Sequence, residues 1–174
     1  MNKRSKMFAE YNAWANARIY RAALELPRSD YLADRGAFFK SLHGTLNHLL
    51  VADGVWMKRF TGEGNAAVSL DTILFETLPD LWAARQEEDL RINNFVGTLD
   101  DAALDRVLHY SMITNPATVQ QSLGAALDHF FNHQTHHRGQ AHAILTGLGR
   151  DAPALDLLLF QRESGHGDVV WRAL

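Results

Sequence analysis

Five histidines crowd one short stretch of this chain: His129, His133, His136, His137 and His142, out of nine in all. There is no cysteine, which excludes disulfides, thiolate ligands and a cysteine nucleophile. Any metal must therefore be held by imidazole nitrogen or carboxylate oxygen. Clustering alone decides little, because an exposed helix can carry histidines for no reason. What matters is which of them face a core. Each helical residue advances about 100° around the axis. On that wheel Val119, Leu123, Ala126, Leu127, Phe130, Ala141, Ile144, Leu145 and Leu148 mark an apolar arc. His137 falls about 30° from its centre and His133 about 70°, while His129, His136 and His142 fall more than about 100° away. His133 and His137 are thus an inward-facing i, i+4 pair whose rings can reach one ion. The same spacing suits two core histidines satisfied by hydrogen bonds, and spacing alone leaves both readings open.

A metal would need a third ligand. An earlier helix offers His43, His48 and Asp53. His43 shares a wheel face with Lys40, Asn47 and Lys58, which reads as wet. His48 shares a mostly uncharged strip with Thr45, Ala52, Val55 and Arg59. Asp53 sits in the apolar stripe between Leu49 and Trp56. Geometry slightly favours His48 over Asp53 and excludes neither. A carboxylate in an apolar stripe needs a partner, either a ligand imidazole N–H or a salt bridge inside the bundle. His129 and His136 could line a pocket mouth or simply be edge residues. Trp14, Trp56 and Trp82 read as core, and Arg138 as a clamp on a neighbouring helix. Two metal motifs are absent. Gln134 stands where the zincin H-E-x-x-H pattern carries its glutamate. Glu163 and His166 give the Glu-x-x-His spacing once, where a di-iron bundle needs two.

The elements that must position these residues are helices. The spacing of Phe8, Tyr11, Ala15, Ile19, Ala22 and Leu26 predicts a first helix from about Lys3 to Leu26, stopped by Pro27. A loop follows over 28–36. Phe39, Leu42, Leu46, Leu49, Trp56 and Phe60 predict a second helix over about 37–60, ended by Gly62-Glu63-Gly64-Asn65. Thr77 is the expected N-cap of a third, running to about Val96 with Pro79 in its first turn. Leu78, Leu81, Trp82, Leu90 and Phe95 supply its apolar side. Residues 98–116 read as irregular, with a short extended segment at 107–113. Pro116 opens the longest pattern, about 117–148, with Gly149 as its stop. A short helix over 154–161 precedes a Gly-rich tail. The fold class expected is all-α: a four-helix bundle with a short additional C-terminal helix, as a single domain over 1–174.

Bulk composition narrows the partners. Apolar residues make up 47% and charged residues 21%, an ordinary globular balance that argues against disorder. A net charge of −3 provides no basic stripe for nucleic acid or an anionic membrane surface. No apolar run reaches the length of a signal peptide core or a transmembrane helix, so a cytoplasmic protein is expected.

Three blocks carry a family resemblance across nearly the whole chain. They are Tyr11-Asn12-Ala13-Trp14-Ala15-Asn16, then Leu46-Asn47-His48-Leu49-Leu50 with Ala52-Asp53 and Trp56, and the most specific, Asn132-His133-Gln134-Thr135-His136-His137-Arg138-Gly139-Gln140. With these the chain resembles the DinB family of metal-binding helical bundles. The resemblance implies that His48 joins His133 and His137 as the metal ligands, and it implies a homodimer. Three imidazoles leave at least one position open on a divalent ion, and structural zinc sites are usually closed by four ligands. Zinc and nickel are the first candidates; iron(II) and copper also suit the donors. The family relation points to a metal-dependent transferase or hydrolase acting on a small molecule, with thiol-dependent S-transfer among the options. The alternative is a non-catalytic stress-associated bundle in which the metal only ties helices together.

Overall fold

The computed structural model describes residues 3–67, 69–113, 115 and 117–167. Four long helices carry the fold. Helix α1 (Lys3–Leu24) stops just before Pro27. The segment after it is not a plain loop as expected, because Arg28–Leu32 form one short turn of helix, α2, which buries Tyr31. Helix α3 (Leu42–Thr61) starts five residues later than the apolar stripe suggested. Ser41 caps it by accepting a bond from the Gly44 amide, and Gly62 ends it in the left-handed conformation at φ 78°. Residues 37–41 instead form a tight turn, with an Ala37–Lys40 bridge and Lys40 itself at φ 66°. Helix α4 (Leu78–Thr98) begins as expected, the Thr77 hydroxyl accepting from the Asp80 amide.

A purely all-α fold does not hold. After a 3-10 turn at Ala102–Asp105, β1 (Val107–Ser111) pairs antiparallel with β2 (Thr118–Ser122), Val107 opposite Ser122 and Tyr110 opposite Val119. Residues expected to open the last long helix are therefore strand; the Pro116 start signal lies outside the described residues. The extended segment at 107–111 needs a backbone partner, and 118–122 supplies it. Ser122 ends β2 and caps α5 (Leu123–Gly147), its hydroxyl accepting from the Ala125 amide. Helix α6 (Leu157–Glu163) packs back on α1. No helix among the described residues is long and apolar enough to cross a membrane.

Helix α1 packs on α4 and α5, and α3 packs on the same two. Two large apolar clusters dominate the core, and a small third, Tyr11, Ala15 and Phe160, seats α6 on α1. One gathers Ile19, Leu42, Leu46, Leu49, Leu81, Ala141 and Leu145. The other gathers Trp56, Phe60, Ile92, Val96, Leu123, Leu127 and Phe130. Between them along every long helix lie buried polar residues: Asn12 and Asn16 on α1, Asp53 on α3, Arg85 and Asp89 on α4, Gln134 and Arg138 on α5. Arg85 bridges the two carboxylates, 2.6 Å from Asp53 and 3.0 Å from Asp89. Asn16 donates to Asp89 at 2.9 Å, Gln134 donates to Asp53, and Arg138 donates to Asn12 and Asn16. Two carboxylates and two guanidiniums make this layer formally neutral; Arg85 pairs both carboxylates, and Arg138 is held by neutral side-chain oxygens. The layer corrects the reading of α4. Its buried stripe is Leu78, Leu81, Arg85, Asp89, Ile92 and Val96, and Leu90, expected inside, is exposed.

Candidate metal centre

The inward turn of α5 and the adjoining face of α3 bring three histidines together. His48 Nε2 lies 3.2 Å from His137 Nε2 and 3.4 Å from His133 Nε2. The three candidate ligand atoms all lie within 4.8 Å of one another, so the group could hold a metal ion. Two nitrogens bound at about 2.0–2.1 Å around a tetrahedral ion stand about 3.3–3.4 Å apart, which is the spacing observed here.

The opposite ring nitrogens fix the tautomers. His48 Nδ1 is 2.8 Å from the Leu70 carbonyl, and His137 Nδ1 is 2.8 Å from Gln140 Oε1. Both partners only accept, so each Nδ1 carries the proton and each Nε2 presents a lone pair. Gln140 is held in that orientation by its own amide nitrogen, 3.2 Å from His136 Nε2. With these tautomers the two Nε2 atoms, 3.2 Å apart, present lone pairs to each other, an arrangement suited to a cation between them. A proton is a poor one. Burial pushes His48 down to about 4, with the nearby His137 adding to the effect. Burial, then the neighbouring histidines, push His133 down to about 3. Burial also lowers His137, the Gln140 bond opposing it. At neutral pH the donor set is three neutral imidazoles, the form that binds a borderline divalent ion.

Backbone and aromatic groups hold His48. Phe39 stacks on its ring with centroids 3.7 Å apart and meets His137 edge-on at 5.5 Å. The carbonyl that orients His48 belongs to the 62–77 connection. Asn47 clamps this connection, accepting from the Leu74 and Phe75 amides at 2.9 and 3.0 Å. His43 also bonds this connection, with Nε2 2.9 Å from the Phe75 carbonyl. The expectation that His43 and Asn47 face water is therefore wrong, since the connection folds over that face and buries both.

Asp53 does not touch a ligand ring; it lies in the ion-pair layer with Arg85. Arg138 is the helix clamp expected of it. His136 contacts Gln140 and His137 at an exposed edge. Glu163 pairs with Arg18, remote in sequence from the cluster. His129 is exposed yet packs against Trp56, ring centroids 5.1 Å apart, and lines a pocket. That pocket, about 400 Å³, opens onto His48 and His133 and is walled by Val55, Trp56, Leu70, Tyr110, Ile113 and Val119, with Arg59 and Gln121 as further polar groups. Trp56 is thus both core and pocket wall. Sequence reasoning gave Gln140 no role, although its i+3 spacing from His137 was a usable signal. The Leu70 carbonyl left no signal at all.

The model of the DinB family matches residues 1–168. Protein DinB of Bacillus subtilis (strain 168) is 28% identical over 160 residues, covering 87% of this chain and 90% of that one. The crystal structure of a DinB-like protein from Bacillus cereus ATCC 10987 superposes with a TM-score of 0.64 at 14% identity, covering 84% of this chain and 94% of that one. At that identity the likeness speaks for the fold.

Proposed function

The chain belongs to the DinB family, and from that premise we propose that this four-helix bundle is a metal-dependent enzyme acting on a small molecule through an open three-histidine site. The convergence of three neutral imidazole nitrogens beside a pocket of about 400 Å³ carries this reading. His48, His133 and His137 would hold one divalent ion, with zinc or nickel the best match to three nitrogens and no sulfur. Bound there, the ion supplies Lewis acidity and lowers the pKa of a group it coordinates. Leu70 and Gln140 orient the His48 and His137 rings they touch, which presents those two donors ready to bind. Apolar walls exclude water from a bound substrate. His129 is the lining group suited to accept a proton, since its packing against Trp56 and the Arg59 charge lower its pKa and leave the ring neutral. A reaction that activates a thiol or a hydrolytic water fits these parts, so the class is a transferase or a hydrolase.

The test is an open coordination position. The cobalt-substituted chain should change its visible spectrum on addition of 2-mercaptoethanol or azide, and metal-loaded protein should turn over some member of thiol-transfer and hydrolytic substrate panels. An unchanged spectrum would instead favour a sealed ion that only ties α3 to α5.

A further inference from the structure

The pocket beside the histidines has a charge pattern that the chain as a whole lacks. The protein carries a net −3, yet none of the residues lining this pocket is acidic. Its cation is Arg59, near the end of α3. The guanidinium lies against two rings at once, 4.6 Å from the Trp56 centroid and 4.4 Å from the Tyr110 centroid, the two rings meeting edge to face with centroids 5.3 Å apart. These two cation–π contacts restrain the guanidinium and leave its remaining N–H groups free to donate. One nitrogen, Nη2, donates to the Ser111 carbonyl at 3.0 Å, which anchors the group to β1. Among the described residues the other nitrogens meet no acceptor, and no carboxylate pairs with Arg59. Burial pulls its pKa down, with only Tyr110 opposing. A half-buried cation held against two rings, with no counter-ion among the described residues, has donors to offer an anionic ligand.

We propose that Arg59 binds the carboxylate of the small molecule that enters this pocket, and that the substrate class is an apolar body bearing one carboxylate. The rings run in sequence from Arg59 over Trp56 to His129 at 5.1 Å and on to His133 at 5.9 Å. A carboxylate held at Arg59 therefore directs the remainder of the molecule along Trp56 toward the histidines. Val55, Ile113 and Val119 receive the apolar part. Arg59 is a specificity-determining residue on this account. The assignment rests on the small-molecule reading of the pocket but not on the metal.

The experiment titrates benzoate and its neutral isostere benzamide into the full chain by isothermal calorimetry, once metal-loaded and once after metal stripping, while the Arg59 Nε–H signal is followed by NMR. Benzoate should bind more tightly than benzamide in both forms and should shift the Arg59 signal. Arg59→Gln should weaken benzoate about tenfold or more and leave benzamide unchanged. Arg59→Lys, which keeps the charge and loses the fork, should fall between, and it also serves if Arg59→Gln does not fold. Equal binding of the two probes by the wild type, or benzoate binding that Arg59→Gln does not alter, would overturn the proposal. Because the stripped protein is part of the experiment, a chain that takes up no metal leaves this result readable, and a failure here leaves the metal reading intact.

Discussion

Arg85→Met removes the one cation that sits between Asp53 and Asp89 while preserving most of the side-chain volume. Arg85 is fully buried and lies within 3.0 Å of both carboxylates. Breaking a buried pair from one side costs about 3–5 kcal/mol, because the charge left behind has neither water nor partner. Two carboxylates are stranded here, which places the expectation at the upper end, with Arg138 and Asn16 offsetting part of it. At about 2–4 °C per kcal/mol for a chain of this size, the melting temperature should fall by about 10–20 °C. The deficit should also depend on pH. Burial already pushes the Asp53 carboxyl up to about 7 against the pull of Arg85. Without Arg85 both carboxyls move higher still. A folded-state pKa above the unfolded value means that the folded form binds the extra proton, so stability is retained at low pH and lost as pH rises. The deficit should therefore be largest near pH 8 and shrink toward pH 5. Urea unfolding of metal-free protein across that range measures it. Zinc stoichiometry should stay unchanged, since Asp53 touches Arg85 and Gln134 and no ligand ring. A loss under about 1 kcal/mol would refute the claim that this layer is held by mutual charge compensation.

Further predictions follow from the metal centre. Gln140→Leu should lower zinc affinity by about tenfold or more while the melting temperature of the stripped protein hardly moves, because the change frees the His137 ring without opening the core; unchanged affinity in competition titrations would deny Gln140 its orienting role. Zinc affinity should decline only slightly from pH 7 to 5.5, since His48 titrates near 4 and His133 near 3. Histidines at the ordinary 6.5 would each cost about tenfold at pH 5.5, so a fall of about a thousandfold would contradict the lowered values. Gly44→Ala should destabilise the chain and weaken metal binding together, because its Cβ would overlap the Phe39 carbonyl oxygen and displace the ring stacked on His48; a crystal structure of the variant with Phe39 in place would show otherwise.

Much of the fold was legible in the sequence, for reasons the structure makes plain. Pro27, Thr77 and Gly62 punctuate the helices through local chemistry that needs no tertiary context. The strand β2 was hidden because Val119, Leu123 and Leu127 keep helical spacing straight through Thr118–Ser122, so the apolar pattern does not register the change of period. The polar layer was hidden because Arg85 and Asp89 stand at core positions of α4, where charge reads as surface. At the site, the wheel alone found His133 and His137, and the family resemblance supplied His48. His43 and Asn47 were misread because a connection folded over their face, and contacts made by backbone carbonyls leave no mark in residue types.

The central claim is that three histidines hold one ion, and elemental analysis tests it most directly. Wild type and His137→Ala would be prepared without nickel affinity resin, incubated with zinc, and freed of unbound metal by gel filtration. The account predicts about one metal ion per wild-type chain and almost none in the variant. A wild type that retains no metal, or a variant that retains as much as the wild type, would contradict it.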